Sequence, residues 1–231
     1  MTENPTVSTI TLETSQANVT GPATDNSQVA LTAHEILTLL SLNIGPSATA
    51  SRELFRLPDR ADDAELMEMG MSTLLVRGLG VLEDEEFSPS GPAFGIAASL
   101  TTAVEWIELG IVAGPATHAY FLVGSPAGNL VVSVDRLSIF GFRPLNDSTP
   151  LLEQAISLTR NALADPSLAK PAVVITQHVG LGGEDTTASI RVAADGSTAL
   201  AGSPLTADGG LSEIDITDAD LYEKYGQSLA F

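Results

Sequence analysis

Between Val104 and Arg143 the apolar residues recur at every second position, in four runs set close together: 104–112, 117–124, 129–136 and 138–143. Successive side chains of a strand point to opposite faces, so this alternation predicts four strands. The gaps between the runs are far too short for parallel crossovers, which need a dozen residues or more, so the sheet must be antiparallel. Ser125-Pro126-Ala127-Gly128 supplies turn chemistry and makes a hairpin of the second and third runs. Gly114-Pro115 and Gly141 mark further bends.

Upstream the period is helical. Thr32 followed by Glu35 reads as a capping box, with Leu31 and Ile36 as the hydrophobic staple. Ile36, Leu37, Leu39 and Leu40 share one face, and Gly45-Pro46 is the expected stop. Over 47–61, Arg52, Arg56 and Arg60 recur every four residues, but Pro58 interrupts a helix. They read as a solvated face or as an anion or partner contact. A second helix is expected from Asp62 or Asp63 to Arg77, with Met67, Met71, Leu74 and Leu75 as its core stripe and Gly78 as its end. An acidic loop over 83–86 leads to a third helix from Ser88 or Ser90, carrying Phe94, Ile96, Ala97 and Leu100.

Beyond the four runs, Thr149 and Pro150 start a helix that Asp165-Pro166 ends. Strands at 172–179 and 186–193 flank a glycine-rich loop, and Asp195-Gly196 is another turn. The tail 203–231 reads as acidic loop with one short helix, capped by Thr217 and stopped at Gly226, with Leu221 and Tyr225 inward. The expectation is an α+β fold in which an antiparallel sheet packs against helices. It would form a single domain over 30–231, open to division into two loosely similar halves, 30–145 and 146–231. Residues 1–29, rich in Thr, Ser and Asn, read as a flexible N-terminal extension, although Val7–Leu12 alternates like an edge strand.

The chain has no Cys, which excludes a thiol nucleophile, a disulfide framework and an iron–sulfur site. A net charge of −19 repels phosphate backbones and anionic bilayers, so no nucleic acid is expected as a partner. No secretory leader and no long apolar span is present, so no membrane insertion and a cytoplasmic location are expected. His34, His118 and His178 stand alone, without ligand spacing for a metal, and there is no G-x-S-x-G elbow. Gly180-Leu181-Gly182-Gly183 lacks the Lys-Ser/Thr and the following helix of a phosphate loop. The reading is a protein without cofactor, metal or catalytic residues. The run Leu137, Ile139, Phe140 and Phe142 is apolar on alternating positions, more than one covered face needs. Together with the Pro- and Gly-bearing hairpin tip, it makes Ser125, Pro126, Asn129, Phe140 and Phe142 the candidate partner-binding residues.

The order Leu31-Thr32-Ala33-His34-Glu35-Ile36-Leu37, then Met69-Gly70-Met71-Ser72-Thr73-Leu74-Leu75-Val76-Arg77-Gly78-Leu79, resembles a known family. A helix of the form L-T-x-x-E, a helix ending L-x-x-R-G-L, a third helix and an antiparallel sheet are similar to the EspG-like chaperones of type VII (ESX) secretion in actinobacteria. The likeness runs over residues 30–143. It implies a non-enzymatic cytosolic chaperone or adaptor whose partner is a helical protein, such as a type VII secretion substrate. The chain departs from that family in its length, its Thr-rich extension and its second half. The competing expectation is an enzyme or small-ligand protein with a site at the helix–sheet junction. A third is a structural or immunity-type interaction protein.

Overall fold

A computed structural model of the chain describes residues 28–58, 64–135, 137–207 and 209–231. The first stretch of elements is β1 (Val29–Thr32), α1 (Ala33–Ser41), α2 (Pro46–Leu54), α3 (Ala64–Val76), β2 (Gly80–Glu83), β3 (Glu86–Pro89) and α4 (Pro92–Thr102). Four strands follow: β4 (Glu105–Ala113), β5 (Ala116–Gly124), β6 (Leu130–Val134) and β7 (Ile139–Pro144). The rest comprises α5 (Leu151–Ala164), β8 (Ala172–Gly180), β9 (Asp185–Val192), β10 (Thr198–Leu205), β11 (Leu211–Ile214) and α6 (Leu221–Leu229). Nine strands make one antiparallel sheet in the order β1-β7-β6-β5-β4-β8-β9-β10-β11, and β2 and β3 form a separate hairpin. The fold is α+β, with the four central runs of the sequence as strands. Two meanders, β4 to β7 and β8 to β11, meet where β4 pairs with β8, Glu105 opposite Gly180 and Ala113 opposite Ala172.

Pairing register assigns every strand residue to a side. Along β8, Ala172, Val174, Thr176 and His178 are buried, while Val173, Ile175, Gln177 and Val179 are not. Val174 lies opposite Ile111 and Ile190, and Ile175 lies opposite Gly110 and Ser189, so the alternation runs across the sheet. One side carries Trp106, Phe121, Val123, Leu130, Val132, Phe140 and Phe142. It packs on Ile36 and Leu39 of α1, Ala48 of α2, Phe55, and Ile96 and Leu100 of α4. The other side carries Ile107, Leu122 and Val131 under Leu151 and Ala155 of α5. On that side Ala188, Ile190 and Leu200 lie under Leu221, Tyr225 and Leu229 of α6. Each fully buried large apolar side chain contributes about 1.5–3 kcal/mol.

The two helical layers sit on opposite sides and are offset along the sheet. The first covers β1, β7, β6 and β5 and reaches Trp106 of β4, whose Nε1 donates to Ser51 Oγ at 3.1 Å. The second covers β4, β5, β8, β9 and β10 from behind. Among the described residues, the side of β8, β9 and β10 facing the first layer therefore carries no helix.

Several expectations are corrected. Gly45-Pro46 does not end α1; Gly45 caps α2 and Pro46 begins it, where a missing N–H costs nothing. On α3 only Gly70 and Leu74 are buried, and Met67, Met71 and Leu75 of the expected stripe are half-buried. The acidic run 83–86 is a hairpin, with Asp84 and Glu85 both at positive φ. Ser88 lies in β3, so α4 starts at Pro92, and Phe94 is 63% exposed. Pro150, not Thr149, is the N-cap of α5. The tail begins with the end of β10 and β11, and α6 has Asp220 as N-cap with Gly226 inside it. Val29 begins β1, so the sheet starts within the expected extension. Val7–Leu12 and Arg60 lie outside the described residues.

Candidate functional site: an open sheet face beside a Trp-floored cleft

The partner residues expected from sequence divide. Phe140 and Phe142 are two positions apart and so share one face, and Phe55 packs against both rings and against Phe121. Their exposures are 4% and 1%. They are core, out of a partner's reach, because the rings lie under the first helical layer. Ser125, Pro126 and Asn129 are at the surface, as a hairpin tip should be, with Pro126 exposed and the other two half-buried. The tip is bound to its own neighbours. Ser125 Oγ lies 2.8 Å from Thr102 Oγ1, Ser125 N–H donates to Asn129 Oδ1 at 3.2 Å, and Asn129 N–H donates to Asp147 Oδ1 at 2.7 Å. The structure thus separates the hairpin tip from the aromatic pair instead of joining them in one patch.

The uncovered surface lies elsewhere. On the side of β8 that lacks a helix, Ile175 is 48% exposed, with Val173 and Val179 in line with it. Val112 on the neighbouring β4 is exposed as well, and Ser189, Arg191 and Ala201 extend the same side across β9 and β10. Where this open face meets α2, a cleft of about 460 Å³ is bounded by Ile44, Pro46, Thr49 and Glu53 on one wall and Val179 and Leu181 on the other. Trp106 forms its floor. Ile44 and Leu181 stand exposed at the lips. The glycine-rich loop that forms the second wall is pinned: Leu181 N–H donates to Val104 O at 2.8 Å, and Gly180 N–H to Glu184 O at 2.8 Å. Beside the cleft, Arg56 is ion-paired to Glu108 at 2.6 Å.

Among the described residues no group of three or more His, Asp and Glu could hold a metal ion. His34 is half-buried on α1 and His118 is exposed on β5. His178 is buried at the helix–sheet junction, where its ring nitrogens lie 2.9 Å from Leu229 O and 3.1 Å from Glu105 Oε2. Phe231 stacks on the imidazole at 4.1 Å. Both ring nitrogens are thus engaged, and one face of the ring is covered. Among the described residues no helix is long and apolar enough to cross a membrane.

No family model matches the chain, and no curated protein does. A solved structure has a similar fold: the Mycobacterium tuberculosis type VII secretion system chaperone EspG5, in complex with a PE25–PPE41 dimer. The match covers 88% of this chain and 95% of that one, at a TM-score of 0.51 and 9% identity. At that identity the likeness is one of fold. It extends well past residues 30–143, into the second half that the sequence motifs could not reach.

The open face was missed in the sequence for a definite reason. Strand 172–179 alternates Val173, Ile175 and Val179 with Ala172 and Val174, so it is apolar on both sides, as 138–143 is. A strand apolar on both sides says that one side needs a cover, but not whether the chain supplies it. For β7 it does; for β8 no helix among the described residues does.

Proposed function

We propose that this protein is a non-enzymatic chaperone or adaptor that holds a helical protein partner in the cytoplasm, the partner being a type VII secretion substrate. One observation carries the reading. In a fold similar to that of a chaperone solved on a PE–PPE dimer, the described residues leave one side of β8, β9 and β10 without a helix, with Val173, Ile175 and Val179 of β8 and Val112 of β4 as an apolar strip beside the polar Gln177, Thr187, Ser189 and Arg191. A partner helix laid on β8 and β9 against α2 would supply the missing layer, as the first helical layer does for β5 to β7. Covering such a face is favourable at about 25 cal/mol for each Å² of apolar surface removed from water.

The experiment is affinity capture from the native source with the bound protein identified, run beside the variant Ile175→Asp. The reading expects a helical PE- or PPE-class protein with the wild type and its loss with the variant, whose fold circular dichroism should show unchanged. Capture of no such protein, or capture that ignores Ile175→Asp, overturns it.

A further inference from the structure

The cleft at the end of the open face has a chemical character that narrows what can enter it. Its accessible lining is apolar, with Ile44 at 83% and Leu181 at 42% exposure standing over the indole of Trp106. Val104, at 48% exposure, adjoins Leu181 through the Leu181 N–H to Val104 O hydrogen bond. Large apolar side chains from three separate connections thus gather at one end of the sheet. Such a gathering marks a contact site.

The charge around it has one sign. Among the described residues Glu53 is the only charged side chain in the lining. Across the cleft, the Glu184 carboxylate folds back over Gly180 and Gly182, so close that a Cβ on either glycine would strike it. Asp185 follows, exposed at the start of β9. The nearby cations are already engaged: Arg56, just past α2, by Glu108, while Arg52 of α2 also has a partner. The molecule as a whole carries −19. A segment bringing anions to this rim would meet like charge from both lips, which costs affinity and slows encounter, whereas cations would be steered in.

We propose that the cleft takes a bulky apolar side chain presented on a protein segment with Lys or Arg on both flanks. This rests on the chaperone reading and specifies the partner's contact chemistry. The apolar side chain fills the space over Trp106 between Ile44 and Leu181, and the flanking cations lie against Glu53 on one lip and Glu184 on the other.

Trp106 is the only tryptophan, so all tryptophan emission comes from the place where the cleft meets the first core. The test uses two synthetic helical peptides with the same Leu-Phe core, one flanked by Lys and one by Glu, titrated into the full-length protein. The Lys-flanked peptide should shift or quench Trp106 emission and bind about tenfold more tightly than the Glu-flanked one at low salt. That gap should close as salt shortens the screening length to about 3 Å near 1 M. Ile44→Asp and Leu181→Asp, at two exposed sites on separate loops, should each abolish the signal. Glu53→Gln with Glu184→Gln should keep binding of the core but erase the preference. Equal binding of the two peptides, preference for the Glu-flanked one, or no response of Trp106 to either overturns the proposal. If the peptide fails while a helical partner is still captured through Ile175, the cleft assignment falls and the chaperone reading stands. If the Lys-flanked peptide binds as described but no helical partner is captured, the chaperone reading falls and the cleft's preference stands.

Discussion

The carboxylate of Glu35 is 1% exposed, yet it is among the best-satisfied groups in the molecule. It accepts from Thr32 N–H at 2.8 Å, completing the capping box of α1. It also accepts from Arg77 Nη1 at 2.8 Å on both oxygens, while Arg77 Nη2 donates to Ala30 O at 2.7 Å. The two short motifs that carry the family resemblance, L-T-x-x-E and L-x-x-R-G-L, are thus two halves of one contact that ties α1, β1 and the end of α3 together. Arg77→Met leaves a buried carboxylate short of its counter-ion. It should cost about 2–3 kcal/mol, somewhat less than a fully buried pair because Arg77 is partly exposed. Urea denaturation of Arg77→Met, Glu35→Gln and the double variant should give a coupling energy above 1 kcal/mol, about what directly paired groups show. Tyr225 poses a second case. Its hydroxyl pairs with Thr176 Oγ1 and lies 3.4 Å from Thr159 Oγ1, all three buried. Burial pushes its phenol above the usual range, so the folded state holds this proton to higher pH than the unfolded chain. The stability it contributes is full below the unfolded value of about 10 and falls as pH rises past it. Tyr225→Phe should destabilise by about 1–3 kcal/mol near neutral pH, by stranding the threonine hydroxyls. It should also flatten the alkaline decline in melting temperature, leaving the part due to Tyr120 and Tyr222, which burial raises likewise.

At the scale of elements, the hairpin of β2 and β3 shows what turn chemistry can hide. Asp84 and Glu85 occupy its two central positions at φ of 50° and 66°, a conformation that favours Asn-Gly. Asp84→Asn with Glu85→Gly should raise stability by about 0.5–1 kcal/mol, read as a higher urea midpoint, because neither new residue is strained there. The acidic run looked like a solvated loop because no glycine or asparagine announced the turn. The same physics explains what else could and could not be read ahead. Thr32 and Glu35 announced α1, and Leu221 and Tyr225 the buried face of α6, because caps and apolar spacing act within a few residues. β10 gave no such signal. Its inward residues are Leu200 and Gly202, and Gly202 lies so close to Ser228 that a side chain there would collide. That strand is specified by what α6 leaves room for, not by its own pattern. Gly70 belongs to the same class. It sits where α3 crosses α1, with Thr38 and the His34 carbonyl in the place of a Cβ. A mid-helix glycine reads as a local weakness, yet here it sets the approach of two helices. As for the candidate site, Ser125, Pro126 and Asn129 lie at the surface, but Phe140 and Phe142, two residues apart, share the face that the first helical layer covers.

At the scale of the molecule, the offset of the two helical layers decides which residues are stability and which are surface. Val174 and Ile175 are neighbours in β8 with nearly the same chemistry, and only the side differs. Val174 is 0% exposed and packs with Leu109 and Ile111 beneath α5, whereas Ile175 is 48% exposed on the side that no helix among the described residues covers. A charge at 174 would be buried without a partner, and nothing on β4 or β9 opposite it, Ile111 or Ile190, can hydrogen-bond it. Val174→Asp should therefore cost more than about 4 kcal/mol and yield little soluble folded protein. Ile175→Asp sets a carboxylate in water between Gly110 and Ser189 and should move stability by less than about 1 kcal/mol. The pair separates the architecture from its use. Thermal melts of the two variants test whether the sheet side is assigned correctly, before any partner is added. If the open side is then occupied in the complex, hydrogen exchange at Val173, Ile175 and Gln177 should slow on partner binding. Exchange at Val131 and Val132, already sheltered beneath the two helical layers, should stay as it was. A complex that protects neither group would place the partner away from the sheet, and a melt in which Ile175→Asp unfolds as readily as Val174→Asp would mean that the uncovered side is not uncovered in solution.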